Sequence, residues 1–227
     1  MKQNLLNEIK AVIPDLNLEW REKYALFLID EHLAVFEHML RFYFSQQTEW
    51  VRKPYFKDEI VVTLQDKMFY FEAVLESFEN QSDQLRHNLI KMFEETPFEI
   101  LLLILGQRLT SASRRDETGI PPPREFLIKS CFEPYNKEIS VAVRAWEKHA
   151  GRNATSILGE IKGNREQKRL SAEKLIYYII GYKTWWNVFY HFKHGLVYEA
   201  RIENGQGLRW SADGKQFIGF LEDFLEE

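Results

Sequence analysis

At 227 residues, 45% hydrophobic and 28% charged, the chain has the composition of a folded globular protein and not of a disordered one. A single cysteine, Cys131, excludes an intramolecular disulfide and a cysteine-cluster metal site. The net charge of −4 carries no polyanion-binding signal in the total, and seven Pro and eleven Gly are sparse punctuation that favours long helices.

Leu5, Leu6, Ile9 and Val12 share one helical face that Pro14 closes. Asn17 can cap a second helix running to about Gln46, with apolar residues on more than one face. Beyond Pro54 a third helix is predicted from about Lys57 to Phe78, and a fourth over Ser82 to Glu94. Thr96, Pro97 and Glu99 combine an N-cap, a first-turn proline and a capping-box glutamate. They open a helix that carries Ile100 to Leu105 into the core and frays near Ser113. Arg114 to Pro123, with Gly119 and three consecutive prolines, reads as a linker. Arg124 to Phe132 and Tyr135 to His149 read as helices, and Gly151 to Arg169 as a polar loop with some helix. Ser171 opens an apolar helix to about His194. Leu196–Ile202, Leu208–Trp210 and Gln216–Leu221 follow as strands, joined by turns at Asn204 to Gly207 and at Asp213-Gly214.

The predicted fold is mainly α, a helical bundle with a small C-terminal antiparallel β-hairpin or sheet. Its expected organisation is an N-terminal helical region 1–113, a linker 114–123 and a C-terminal helical region 124–227, together one compact unit. The last region holds the β element at 196–221. Met1 to Asp15 lacks the uninterrupted apolar stretch of a signal peptide. The most apolar run, Phe98 to Leu105, has Glu99 inside it and is far short of the roughly 20 residues that span a bilayer. A cytoplasmic protein without membrane contact is expected, in which the sequons at Asn80 and Asn153 are chance matches.

Divided along the chain, the charge is uneven. Residues 1–143 carry 17 basic and 23 acidic side chains, residues 144–198 carry 10 and 4, and residues 199–227 carry 3 and 7. The basic block 144–198 also holds His149, His191 and His194, half of the six histidines. Such a block can attract phosphates, because neutralising them releases counterions. It can equally face water or acidic surfaces within the fold.

Two constellations lie inside the block. If 171–194 is helical, Lys183, His191 and His194 fall within about 40° of Asn187 and form a polar stripe on an otherwise apolar helix. That stripe is either a solvent window or the wall of a cleft able to bind an anion or to use a histidine as acid or base. The second is Arg144, Lys148 and Arg152 at four-residue spacing, with His149 beside them. Arg144, Lys148, Arg152, Lys183, Asn187, His191 and His194 are therefore the candidate anion-binding residues. No HExxH or Glu-x-x-His pattern is present, so neither metal nor another cofactor is expected. Phosphate-loop, GxGxxG and GxSxG signatures are also absent. Cys131 could be a thiol nucleophile or a buried packing residue. Tyr198, Arg201, Arg209 and Trp210 could stack on bases or cover the end of the bundle.

Arg144 and His149 also form Arg-x4-His, which resembles the catalytic motif of HEPN ribonucleases, helical proteins in which arginine and histidine cut RNA without metal. The resemblance covers six residues, and Ala145 stands where that family usually has a polar residue. A second fragment, Asn187-x3-His191, has Trp186 where the arginine would stand. The leading expectation is a helical binding protein whose partner is anionic, with RNA or DNA the favoured class. The alternatives are a metal-independent endoribonuclease with Arg144 and His149 as catalytic residues, and a protein-interaction or homo-oligomeric helical module.

Overall fold

The computed structural model describes residues 4–45, 53–150 and 157–224. Its contacts divide the chain into two units. The first is Met1–Lys53, Val61–Gln107 and Arg115–Ile120, and the second is Pro54–Ile60, Arg108–Arg114 and Pro121–Glu227.

The first unit is helical. Asn4 caps α1 (Leu5–Val12) by accepting from the Leu6 amide, and Asn17 caps α2 (Leu18–Lys23) by accepting from Trp20. The single helix expected from Asn17 to Gln46 is instead interrupted. The chain turns after Lys23 and restarts as α3 (Asp30–Ser45), while Gln46 lies outside the described residues. The interruption lets Phe27 turn inward, fully buried against the rings of Phe36, Phe93 and Phe98. The expected helix over Lys57–Phe78 is corrected too. Its first part, with the β-branched run Ile60 to Thr63, is non-helical, and only a 3₁₀ turn (Gln65–Tyr70) and α4 (Glu72–Glu79) coil. Next come α5 (Leu85–Glu95) and α6 (Phe98–Leu105). Pro97 holds the cap position of α6 without a side-chain cap bond, and Gly106, at φ +109°, ends the helix short of Ser113. Helices α1, α3, α5 and α6 close over a core that includes Leu5, Ile9, Phe36, Phe93, Leu101 and Ile104.

The second unit has two layers. Its helices are α7 (Arg124–Phe132), α8 (Val141–His149), capped by Ser140, and α9 (Arg165–Tyr182), opened by an Asn164–Gln167 capping box. Its sheet is β1 (Trp185–His191), β2 (Gly195–Arg201), β3 (Gly207–Ser211) and β4 (Phe217–Leu221), antiparallel in the order β1-β2-β3-β4. The prediction of a mainly α bundle is thereby corrected to a mixed helical and sheet architecture. The decisive error is the helix drawn from Ser171 to His194. It ends at Tyr182, and Trp185 to His191 form a strand. That segment, WWNVFYH, is rich in aromatic and β-branched residues that suit a pleated surface. Its period of two is masked because residues 185–188 are buried on both faces.

Strand register assigns the faces. Trp186 and Val188, Tyr198 and Ala200, Leu208 and Trp210, and Phe220 share one face. Along it Trp186, Tyr198, Trp210 and Phe217 form a ladder of rings with successive centroids 6.2, 5.8 and 5.6 Å apart. The Trp210 indole N–H donates to the Leu127 carbonyl of α7 at 3.1 Å, so the helical layer covers this face. Burial raises the thiol pKa of Cys131 in α7 far above its ordinary value, which makes it a packing residue and not a nucleophile. Among the described residues no helix is long and apolar enough to cross a membrane.

Candidate active site on the polar face of the sheet

The other face of the sheet carries Asn187, Phe189 and His191 from β1, Val197, Glu199 and Arg201 from β2, and Arg209 and Ser211 from β3. Glu199 is the hub. One of its oxygens is bound by Arg209 and the other by Arg201 Nε at 3.2 Å, with the glutamate side chain 3% exposed. Arg201 also donates to the carbonyls of Gly205 and Glu222 and lies 4.4 Å from the Phe224 ring. Gly207 makes room for it, since a Cβ there would strike the Ala200 carbonyl and the Arg201 stem.

One end of this face is covered. Phe56, Trp185 and Phe224 pack ring against ring, and the Tyr55 hydroxyl donates to Thr184 Oγ1 at 2.6 Å. Residues 108–114 run along the β1 edge, with the Arg108 and Arg114 amides donating to the Trp186 and Val188 carbonyls at 2.9 and 2.8 Å. This segment brings Ser113 Oγ to the buried Asn187, whose Nδ2 donates to it at 2.7 Å. Arg108 forms a buried ion pair with Glu59 beside it.

The opposite end is accessible. The β1–β2 connection is the three-residue turn Phe192, Lys193 and His194, and Gly195 at φ +70° closes it in a conformation that favours glycine. The turn folds the His194 ring back over His191, with centroids 5.0 Å apart and planes at 28°. The Lys193 amide donates to His191 Nδ1 at 3.2 Å, so the neutral ring carries its proton on Nε2 and gives up this bond when it takes a second proton. Both imidazoles have pKa values below the ordinary histidine value. For His191 the causes are burial first, then the positive Arg209 and the neighbouring His194, partly opposed by Glu199. For His194 they are burial, Arg209 and Lys193. Two imidazoles thus stand where the face meets water, and the Arg209 guanidinium, held by a buried carboxylate on the same face, is felt electrostatically by both. Such a set can hold a phosphate and move protons on either side of it.

The structure keeps part of the predicted stripe and disperses the rest. Asn187 and His191 do share a face, because a spacing of four is also a multiple of the strand period of two. His194 joins them through the turn. Lys183 does not. It caps the C-terminus of α9 and its Nζ donates to the Ile180 carbonyl. Arg144, Lys148 and His149 lie on α8 in the helical layer, behind the sheet, and Arg152 lies outside the described residues. Arg144 stands over the Tyr135 ring at 5.8 Å, and His149 Nδ1 is 3.0 Å from Glu222 Oε1. The basic block is divided in the same way, with Lys168 paired to Glu147 and Arg169 to Glu166 and Glu173. Glu199 and Ser113 have no site role in the sequence reading, and Arg209 stands there only as a residue that could stack on bases or cover the end of the bundle. The alternation Arg201, Glu199 on β2 against Arg209 on β3 was the available signal, obscured by reading β1 as helix.

Two cavities lie away from this face. One of about 720 Å³ sits between α3 and α4, and one of about 620 Å³ where α7, α8 and α9 meet. In the second, Arg169 is already neutralised by its two glutamates. Among the described residues no group of three or more histidine, cysteine, aspartate or glutamate side chains is arranged to hold a metal ion.

Residues 128–222 match the family described as the CdiA C-terminal tRNase toxin domain. The matched stretch takes in most of α7, all of α8 and α9 and the four strands, and so includes the whole polar face of the sheet. No curated protein and no solved structure matches the chain. The similarity favours a ribonuclease over the binding protein expected from charge alone.

Proposed function

We propose that the chain is a ribonuclease that cuts RNA, tRNA foremost, at the accessible end of the polar sheet face. One observation carries the reading. Within the stretch similar to a tRNase toxin domain, His191 and His194 stack at the accessible end of a face that also carries Arg209, whose charge lowers both imidazole pKa values. The chemistry uses the 2′-hydroxyl of RNA as nucleophile. One imidazole takes the 2′-OH proton while the 2′-oxygen bonds to phosphorus. The P–O5′ bond breaks, and the other imidazole gives its proton to the departing 5′-oxygen. The products are a 2′,3′-cyclic phosphate and a 5′-hydroxyl. Arg209 stabilises the extra negative charge of the pentacoordinate state, and Glu199 is a positioning residue that holds Arg209 in place.

Incubation of the purified chain with total tRNA in the presence of a chelator tests this. Fragments bearing cyclic phosphate ends are expected, and expression of the chain in a cell is expected to arrest growth unless His191 is replaced. Intact tRNA after prolonged incubation with folded protein would overturn the proposal.

A further inference from the structure

Phe192 lies outside the buried core. It is 90% exposed, whereas Phe217 and Phe220 of the sheet are buried and Phe189 is half-buried. Nevertheless its ring is not loose from the site. It lies 4.8 Å from the His191 ring with planes at 25°, and His194 stacks on His191 in turn. The turn therefore presents an uncovered aromatic ring one ring-spacing from the imidazole assigned to proton transfer. Lys193, also exposed, lies between Phe192 and His194 in sequence and supplies a positive charge for the sugar–phosphate backbone.

The geometry points to Phe192 as a stacking platform for an unpaired nucleobase beside the scissile phosphate, so that this site takes single-stranded or looped RNA and discriminates against duplex. The inference rests on the ribonuclease reading and names its substrate class. In an A-form duplex both faces of each base are occupied by neighbours, and a side chain meets only base edges, 2′-hydroxyls and phosphates. A base can cover Phe192 only if it leaves that stack. In a loop or single strand it is already free to do so, and base stacking on an aromatic ring tolerates any sequence.

Anisotropy with a fluorescent 2′-fluoro RNA oligomer, which lacks the nucleophile and cannot be cut, tests the inference without relying on activity. Wild type is expected to bind the single strand in preference to the same oligomer annealed to its complement. Phe192→Ala should weaken single-strand binding on the order of tenfold. Phe192→Trp should restore it, and Phe192→Leu, apolar but without a ring, should not. With cleavable loop RNA, the defect of Phe192→Ala should fall more on KM than on kcat. Equal wild-type affinity for single strand and duplex, no measurable single-strand binding, or Phe192→Ala binding like wild type would each overturn it. The last result would return Phe192 to the surfaces on which a protein partner could dock. Since binding is read on uncleavable RNA, a chain that stacks bases but cuts nothing would sink the ribonuclease reading alone. A chain that cuts RNA equally well without the ring would sink this one alone.

Discussion

The two faces of the sheet are made from alternate residues of the same strands, yet they solve opposite problems. On one face Trp186, Tyr198, Trp210 and Phe217 stack into a ladder, sealed by helices. On the other, Glu199 and Arg201 are buried, Arg209 is half-buried against Glu199, and two imidazoles lie at the accessible end. The apolar face gives the unit its cohesion. The polar face accepts the cost of desolvating Glu199 and Arg201, offset by their mutual contact, by Arg209 on Glu199 and by the Gly205 and Glu222 carbonyls on Arg201. Stability and chemistry are therefore divided between the two faces, and substitutions on them should fail in different ways.

The largest effect belongs to the polar face. His191→Ala is expected to slow tRNA cleavage by about 10²–10⁴-fold, the usual contribution of a positioned acid or base, while the thermal midpoint barely moves. His194→Ala should behave alike, and the double variant should lose less than the product of the two, as for groups acting in one step. Near-wild-type cleavage by His191→Ala would break the comparison at its main point.

Trp210→Ala attacks the other face. It removes a fully buried indole and its bond to the Leu127 carbonyl, and should cost about 3–5 kcal/mol in denaturant unfolding. Its residual activity should follow the folded fraction, so that adding a stabilising osmolyte recovers cleavage. A stable Trp210→Ala protein without activity would mean that the ladder serves the site directly.

Glu199→Gln lies between these cases. It keeps the shape but takes the negative charge from between Arg201 and Arg209, and a loss of about 1.5–3 kcal/mol is expected. Because Arg209 loses its anchor, cleavage should fall as well, with kcat more affected than KM. The pH profile gives a subtler test. Burial and the cations Arg209 and Lys193 lower both histidine pKa values in the free protein. The bell-shaped dependence of kcat/KM should therefore be centred on the acid side of the ordinary histidine value, since that quantity reports free-enzyme groups. Arg209→Gln removes one of the lowering charges and should move the profile toward neutral pH.

How much of this was legible in the sequence depended on local signals. Asn17 and the helix Arg124–Phe132 were readable because a cap and flanking prolines act within a few residues. The strands after His194 were readable because Gly and Asn mark their turns. β1 was not, because its aromatic run is buried on both faces and so carries no alternation. Asn187, His191 and His194 would line one face of a helix, but it is a strand and its turn that bring them to one side of the sheet. Glu199 and Arg209 could not be joined to them without the register, which is a tertiary fact.

The smallest expected effect is the most discriminating between the two possible sites. Arg144 and His149 share the Arg-x4-His spacing, but α8 presents them from the helical layer, His149 toward Glu222 and Arg144 over Tyr135. Their side chains are partly solvated, so a His149→Ala or Arg144→Ala change should alter stability by no more than about 0.5–1 kcal/mol. Cleavage should stay within about twofold of wild type, less than 0.5 kcal/mol in barrier height. Abolished cleavage in His149→Ala, with His191→Ala still active, would move the chemistry from the sheet to α8 and leave the polar face as a structural ion cluster. Measured side by side on one tRNA preparation, the two histidine variants decide which layer of the second unit carries the proposed cleavage.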